Sequence, residues 1–198
     1  MKKIKEILIG TNNIGKYREI CSLLPKAITK RSLKEFKISS PKETGKSYKD
    51  NSLIKASYFS KKTNLICLSD DSGLEVDLLN GSPGIYSSRW AGKKNNFNLA
   101  IKKVFKNMTQ IKKNWKNNNS AKFICCLTLF WPNGRSYIVR GIVNGKISAK
   151  KKGKNGFGYD PIFIPDGYKK TFGEMRHKYK ISIDHRYKAY LKIKKFFT

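Results

Sequence analysis

The sequence predicts an α/β protein with a mixed β-sheet flanked by helices. An apolar segment at residues 5–10 is followed by a polar turn and then by a helical repeat of apolar residues. A second short apolar segment, residues 65–69, lies between two further helical patterns. Two β-rich segments, 121–131 and 135–144, flank the turn sequence Pro-Asn-Gly, which is typical of a β-hairpin.

The N-terminal half alternates between strand and helix patterns. Residues 5–10 are expected to form the first strand, and the helix after it has Ile14, Tyr17 and Ile20 on one face and ends near Pro25. Residues 34–39 are expected to form a second short strand, and residues 47–62 have the spacing of a helix. Residues 65–69 then form a buried strand that ends at two acids, the position at which α/β sheets often carry active groups.

The C-terminal half contains more β-structure. Residues 75–79 are expected to continue as a strand, and 80–92 are rich in turn residues. Residues 97–108 have a helical pattern, and a basic helix is expected from about Ser182 to the end. The hairpin half is a candidate for a second lobe.

The composition limits the possible functions. The 198 residues are 39% hydrophobic, which is enough for a packed core, and no apolar run approaches the roughly 20 residues that cross a bilayer. The four cysteines show no CxxC pair and no Cys/His cluster, so neither a disulfide framework nor a structural zinc site is predicted. We therefore expect a cytoplasmic protein without a membrane segment.

The net charge of +30 comes from 43 basic and 13 acidic residues. Such a charge suits nucleic acid or a small anionic substrate. However, 36 of the basic residues are lysines, they are spread along the whole chain, and no block of them is combined with an aromatic RNA-binding motif. The pattern favours an anionic small molecule over specific nucleic-acid binding.

The few acids of the chain are concentrated in one segment. Four of the 13 lie between Asp70 and Asp77, and two of them, Asp70 and Asp71, are adjacent. Neighbouring carboxylates repel one another unless a cation or basic groups offset their charge. Asp70 and Asp71 are therefore candidates to hold a hard divalent cation and to position a water molecule, although Asp-Ser-Gly is also an ordinary turn sequence.

Three other segments contain groups that suit a nucleotide. Thr11–Lys16 combines a helix N-terminus with a lysine, which together can bind phosphate, although the spacing is not that of a Walker A loop. Residues 156–161 alternate glycines with Phe157 and Tyr159, which offer rings for stacking on a base. Lys180 and His185-Arg186 are candidate phosphate or base ligands. Together these groups point to a nucleoside triphosphate and a divalent metal.

The order of these motifs resembles the non-canonical purine nucleoside triphosphate pyrophosphatases, the inosine/xanthosine triphosphatase (Ham1-like) family. The resemblance extends from residue 11 to residue 186. DDSGLEVD at 70–77 and GFGYDPIF at 156–163 are its most specific segments. The other matching segments are Thr11–Lys16, Glu43-Thr44-Gly45, Asp50-Asn51 to Lys55-Ala56, GSPGIYSSR at 81–89, and His185-Arg186.

The resemblance implies one domain over residues 1–198, with an elongated two-lobed α/β fold, a central mixed sheet and a homodimeric assembly. It implies Mg2+-dependent hydrolysis of ITP, dITP and XTP to the monophosphate and pyrophosphate by activated water, which keeps deaminated purines out of DNA and RNA. It implies that Asp71 is the proton acceptor and the Mg2+ ligand. The implied substrate-binding residues are Thr11, Asn12, Asn13, Ile14, Gly15, Lys16, Ser72, Phe157, Gly158, Tyr159, Asp160, Lys180, His185 and Arg186.

Two positions depart from the family pattern. Lys42 stands where the family usually has a metal-binding Glu, so Glu43, Asp70 or water has to replace that ligand, or the metal is held more weakly. Asp184 precedes His185 where Ser is usual, and an acid at this position can change the protonation of His185. Two alternatives stay open: a pyrophosphatase of modified pyrimidine triphosphates, and a basic nucleic-acid-binding protein.

Overall fold

The computed structural model describes residues 3–92 and 94–198. In this part of the chain the strands are β1 (Glu6–Ile9), β2 (Thr29–Ser32), β3 (Cys67–Val76), β4 (Ser120–Phe130), β5 (Ser136–Ile147) and β6 (Phe163–Pro165). The α-helices are α1 (Ile14–Leu23), α2 (Leu33–Phe36), α3 (Tyr48–Thr63), α4 (Phe97–Ile111), α5 (His177–Lys180) and α6 (His185–Ile193). The α/β class predicted from the sequence is confirmed.

The strands form one mixed sheet in the order β2-β1-β3-β4-β5-β6. β1 is parallel to both β2 and β3, whereas β5 and β6 are antiparallel. Ile9 is paired with Leu68, so the loop that follows β1 begins beside the segment of β3 that carries the acids. Gly10 is required at this crossing, since a Cβ there would collide with the side chain of Ser69.

The expected strand at 34–39 is wrong. The strand in this region is β2, and residues Leu33–Phe36 form the short helix α2. A capping box starts this helix: the Ser32 hydroxyl accepts the Lys34 N–H (3.3 Å), and Glu35 Oε1 accepts the Ser32 N–H (2.6 Å). These local hydrogen bonds satisfy backbone donors that a strand would have to pair elsewhere.

β3 is longer than the pattern suggested. The predicted strand ends at Ser69, but β3 continues to Val76, so Asp70 and Asp71 lie inside the strand. β3 pairs with β1 at Cys67 and Leu68 and lies beside β4 on its other edge, and within the sheet Asp-Ser-Gly is extended although the same sequence suits a turn. Only the end of the expected strand at 75–79 is wrong, since Asp77–Leu79 form a 3-10 turn.

The chain divides into two compact units. The first unit contains residues up to Asp71 together with Cys125–Gly141 and His185–Thr198, and the second contains Ser72–Ile124 and Ile142–Asp184. Each unit has a core of its own. In the first unit, α1 and α6 pack on the strands through residues such as Ile20 and Ala189. In the second unit, α4 packs against a cluster of phenylalanines.

Two further predictions, the hairpin and the C-terminal helix, are confirmed. The hairpin between β4 and β5 turns at Gly134, which has a positive φ of 89° and donates its N–H to the Trp131 carbonyl. The C-terminal helix begins at His185. The four cysteines are free thiols. Within residues 3–92 and 94–198, none of the helices has the length and apolar character that a membrane span requires.

Candidate active site

The loop after β1 forms a capped helix N-terminus. Asn13 caps α1 through its side-chain oxygen, which accepts the Lys16 N–H (3.0 Å), and the Thr11 hydroxyl accepts the Asn13 N–H (3.2 Å). Asn12 and Ile14 are exposed. The N–H groups of the first helical turn beyond the cap have no partner within the helix, so this end of α1 suits a phosphate, and phosphate binding by Thr11–Lys16 stays a prediction.

Asp70 holds two cations of the first unit. Its Oδ2 lies 3.2 Å from the Lys16 ammonium and 3.0 Å from the Arg186 guanidinium. Arg186 also pairs with Glu19 of α1, and these last two side chains and Asp70 are almost completely buried. Burial alone would raise the pKa of Asp70, but Lys16, Arg186 and Lys55 outweigh it and hold that pKa well below its ordinary value. Asp70 is therefore an ionised anchor for Lys16 and Arg186.

Asp71 has a different environment from its neighbour. Its Oδ1 lies 3.6 Å from the ammonium of Lys55. Its Oδ2 is buried and has no hydrogen-bond partner among the described residues. Burial raises the pKa of Asp71 above its ordinary value, and the nearby ammonium groups of Lys55 and Lys16 offset only part of this effect. A buried carboxylate with one vacant oxygen and an elevated pKa suits a proton acceptor or a cation ligand.

Lys55 links Asp71 to a third acid. Its ammonium donates to Glu43 Oε1 at 2.5 Å. Burial would lower the pKa of Lys55, but the charges of Asp71, Asp70 and Glu43 outweigh it and raise that pKa. Lys55 is therefore a permanent cation between two carboxylates.

Glu43 contacts this cluster through Lys55, whereas the neighbouring Lys42 is exposed. The loop is fixed by Gly45, whose N–H donates to the Asn51 side-chain oxygen (2.9 Å) in α3. Asn51 and Lys55 lie one turn apart on this helix, so α3 positions both ends of the Glu43–Lys55 contact. Of the three replacements considered for the missing Glu at position 42, the geometry favours Glu43.

The second unit contains the glycine-rich aromatic loop. Asp160 Oδ2 accepts the Phe157 N–H (2.9 Å) and the ammonium of Lys180 (3.0 Å). That ammonium also lies 5.1 Å from the centre of the Phe157 ring, within cation–π range. Gly156 has a φ of 73°, and a Cβ there would collide with Asp160. Asp160 and Lys180 thus fix the loop conformation from inside the unit.

The two aromatic rings of this loop differ in accessibility. Tyr159 is buried, its hydroxyl donates to the Ser87 carbonyl (3.0 Å), and its ring meets Phe97 edge to face at 5.4 Å. Phe157 is only half-buried. Of the two rings that the sequence offered for stacking on a base, Phe157 is the accessible one.

The remaining predicted residues lie next to the positions at which the chain passes from one unit to the other. His185 is buried at the start of α6 in the first unit. The preceding residue, Asp184, belongs to the second unit, where its Oδ2 lies 3.7 Å from the Lys180 ammonium. Asp184 therefore neutralises Lys180, a role that its position beside His185 did not suggest. Ser72 follows Asp71 in β3 and is half-buried.

Two candidate site residues, Lys55 and Glu19, were not predicted as such from the sequence. Lys55 was recognised only as part of a matching segment, and Glu19 was not singled out. With only 13 acids in the chain, Glu19 three residues after Lys16 on a predicted helix was a usable signal, because residues three apart share a helix face. The position of Lys55 had no comparable local signal.

The donor set suits a hard divalent cation. The described residues contain no group of three or more His, Cys, Asp or Glu side chains arranged to hold a metal. Mg2+ is nevertheless commonly bound by one or two carboxylates, with water and substrate phosphates completing the shell. Asp71, with its buried oxygen that has no hydrogen-bond partner among the described residues, and Glu43, which also contacts Lys55, are the candidates for such a pair.

Known proteins of similar sequence cover nearly the whole chain. A dITP/XTP pyrophosphatase of Bartonella quintana is 39% identical, with 94% of this chain and 92% of the relative covered. One of Caulobacter vibrioides is 38% identical, with 96% of each chain covered.

Solved structures agree with this similarity. A HAM1 protein from Coxiella burnetii superposes with a TM-score of 0.86 at 34% identity, over 97% of this chain and 98% of that chain. The Staphylococcus aureus Ham1 protein gives a TM-score of 0.84 at 33% identity, over 97% of each chain. The model of the Ham1 family matches residues 7–196, and the chain therefore belongs to the Ham1 family.

Proposed function

We propose that this protein hydrolyses the non-canonical purine nucleoside triphosphates ITP, dITP and XTP to the nucleoside monophosphate and pyrophosphate. The relatives named dITP/XTP pyrophosphatases support the substrate class. The observation that carries the proposal is the vacant, buried Oδ2 of Asp71 beside the Lys55–Glu43 pair. Removal of these triphosphates would keep deaminated purines out of DNA and RNA.

The residues of the first unit have distinct roles in this reaction. The N-terminus of α1 and Lys16 bind the triphosphate chain, whose negative charge they offset. Asp71 accepts the proton of the water that attacks phosphorus, and its raised pKa makes it a better base than an exposed aspartate. Lys55 keeps the two carboxylates, Asp71 and Glu43, close together despite their repulsion.

Mg2+ is the metal that we propose for the reaction, held by Asp71 with Glu43. When bound, it supplies a Lewis acid that offsets charge on the phosphoryl oxygens. Lys42 is exposed and cationic, so Glu43 is the residue of this loop that serves the metal.

Discrimination between purines has a physical basis in buried donors. A pocket that donates hydrogen bonds to a 6-keto group leaves those donors without a partner when ATP offers a 6-amino group instead, which costs affinity. His185 and Arg186 are the proposed donors, and Phe157–Asp160 with Lys180 are proposed to bind the nucleoside. GTP also has a 6-keto group, so its rejection has to depend on the 2-amino position.

The test is pyrophosphate release from XTP, ITP, dITP, GTP, ATP and dUTP, each with Mg2+ or with EDTA. We expect release that requires Mg2+ and strongly favours XTP, ITP and dITP. Preference for dUTP would identify a pyrimidine enzyme, and a folded protein inactive on all six would contradict the proposal.

Asp71→Asn is the decisive variant, since it keeps the size of the side chain and removes the proton acceptor. We expect turnover to fall by at least about a thousandfold while circular dichroism is unchanged. Asp166→Asn, an exposed acid, is the matched control and should keep full activity. Near-normal activity of Asp71→Asn would refute the mechanism.

We further propose that the protein is a cytoplasmic homodimer, since the family pattern implies the dimer and the four free thiols suit a reducing compartment. Light scattering coupled to size exclusion would test the assembly. A mass of one chain, 22.7 kDa, would contradict the dimer.

A further inference from the structure

Ser87 is the centre of a hydrogen-bond junction in the second unit. Its side chain is 5% exposed. Its hydroxyl donates to the Gly84 carbonyl (2.6 Å) and accepts the N–H of Leu74 (3.0 Å) in β3. Its own carbonyl accepts the hydroxyl of Tyr159 (3.0 Å). One residue therefore connects β3, the turn at residues 81–89 and the glycine-rich aromatic loop.

Both partners of Ser87 are fixed. Leu74 is completely buried, and its strand is held to the same turn by the bridge between Glu75 and Pro83. Tyr159 is held by its ring contact with Phe97, and burial raises the pKa of its phenol, which therefore stays a proton donor throughout the neutral range. The junction thus joins rigid segments, and its bonds set their relative register.

The chain positions of these segments relate the junction to the proposed reaction. Leu74 lies three residues after Asp71 in the same strand. Tyr159 lies in the loop at residues 156–160, which is proposed to bind the nucleoside. Motifs from distant parts of the sequence thus meet at a serine that bears no proposed chemical role.

We infer that Ser87 is a positioning residue, which through Tyr159 holds the glycine-rich loop in register with β3 and thereby sets nucleobase selectivity. The inference rests on the proposed function, and it assigns one residue of the GSPGIYSSR segment, Ser87, a role in substrate discrimination. Ser87 is assigned no contact with the nucleoside, and the Tyr159 hydroxyl donates to the Ser87 carbonyl rather than to the base. Ser87 acts through the Tyr159 hydroxyl, and Phe157 presents the accessible ring of the loop.

The test uses Tyr159→Phe, which removes only the hydroxyl that donates to the Ser87 carbonyl. We expect KM for XTP to rise about three- to tenfold, the range for loss of one hydrogen bond, and the XTP-to-ATP ratio of kcat/KM to fall. We expect kcat to change less than about threefold, because the groups proposed for proton transfer are untouched. Tyr86→Phe, an exposed tyrosine of the same turn, is the matched control and should leave all three quantities unchanged.

A second variant gives a readout that is independent of activity. Ser87→Ala removes the acceptor of the Leu74 N–H, so hydrogen–deuterium exchange at Leu74 should become faster by about tenfold or more. Tyr159→Phe should accelerate the same amide to a smaller extent. Exchange at Leu74 equal to that of the parent in both variants would overturn the junction itself.

The kinetic outcomes also separate the explanations. A KM and an XTP-to-ATP ratio within twofold of the parent would overturn the inference. The inference would also be overturned if kcat/KM fell equally on every substrate and the Tm of the variant were lower, because that result indicates a merely structural role. A parent protein that releases no pyrophosphate from any substrate would instead contradict the proposed function, and the exchange experiment would still test the junction.

Discussion

Asp70→Asn is expected to destabilise the first unit strongly. Asp70 is fully buried, and its Oδ2 is shared by Arg186 at 3.0 Å and Lys16 at 3.2 Å. Removal of one partner from a buried ion pair costs about 3–5 kcal/mol, since the remaining charge stays desolvated. Arg186 keeps Glu19 and Lys16 is partly hydrated, so the lower end, about 3 kcal/mol, is expected.

Urea and thermal denaturation at pH 7 measure this effect. For a chain of this size, about 3 kcal/mol corresponds to a Tm lowered by roughly 6–12 °C. The exposed control Asp166→Asn should change stability by no more than about 0.5 kcal/mol. A loss below about 1 kcal/mol for Asp70→Asn would refute the view that this carboxylate anchors the two cations.

The same reasoning predicts how the stability difference between the parent and Asp70→Asn changes with pH. The folded-state pKa of Asp70 is lowered, so its carboxylate contributes stability above its unfolded pKa of about 3.9, and that contribution is lost as the pH falls below this value. The stability difference between parent and Asp70→Asn should therefore be largest near neutral pH and should shrink as the pH falls below about 4. A difference that stays constant from pH 7 to pH 3 would contradict this reasoning.

Three further predictions concern the acid cluster and the thiols. Because burial raises the pKa of Asp71 and Lys55 opposes that rise, Lys55→Met should move the acid limb of the kcat/KM profile to higher pH, and an unmoved limb would exclude Asp71 as the base. Glu43→Gln should raise the Mg2+ concentration for half-maximal activity about tenfold or more, whereas Lys42→Gln, its exposed neighbour, should change it less than twofold. Burial raises the pKa of Cys126 to about 11, so a disulfide reagent at pH 8 should modify this thiol slowly in the folded protein and rapidly in urea, and fast labelling of the folded form would contradict its burial.

Local sequence determined helices α1, α3, α4 and α6, the hairpin and the order of the motifs, whereas α2 was predicted as a strand. Helix α1 follows from the spacing of Ile14, Tyr17 and Ile20, and the β4–β5 turn follows from Gly134, because these patterns depend on neighbouring residues alone. The same locality explains the candidate site residues, since Thr11–Lys16, the acids at 70–77 and the GFGYD loop are each continuous segments.

Only the tertiary structure decided which charges meet. Arg186 reaches Asp70 from 116 residues away, and Glu43 contacts Lys55 because α3 packs beside its loop, which no local spacing encodes. Sheet pairing kept Asp70 and Asp71 inside a strand where a turn was expected. Burial and the neighbouring charges then made the two adjacent acids different: Asp70 is an ionised anchor between cations, and Asp71 has a buried oxygen without a hydrogen-bond partner among the described residues and a raised pKa. The sequence identified the acid pair, and the tertiary structure gave each acid its own contacts and its own direction of pKa shift.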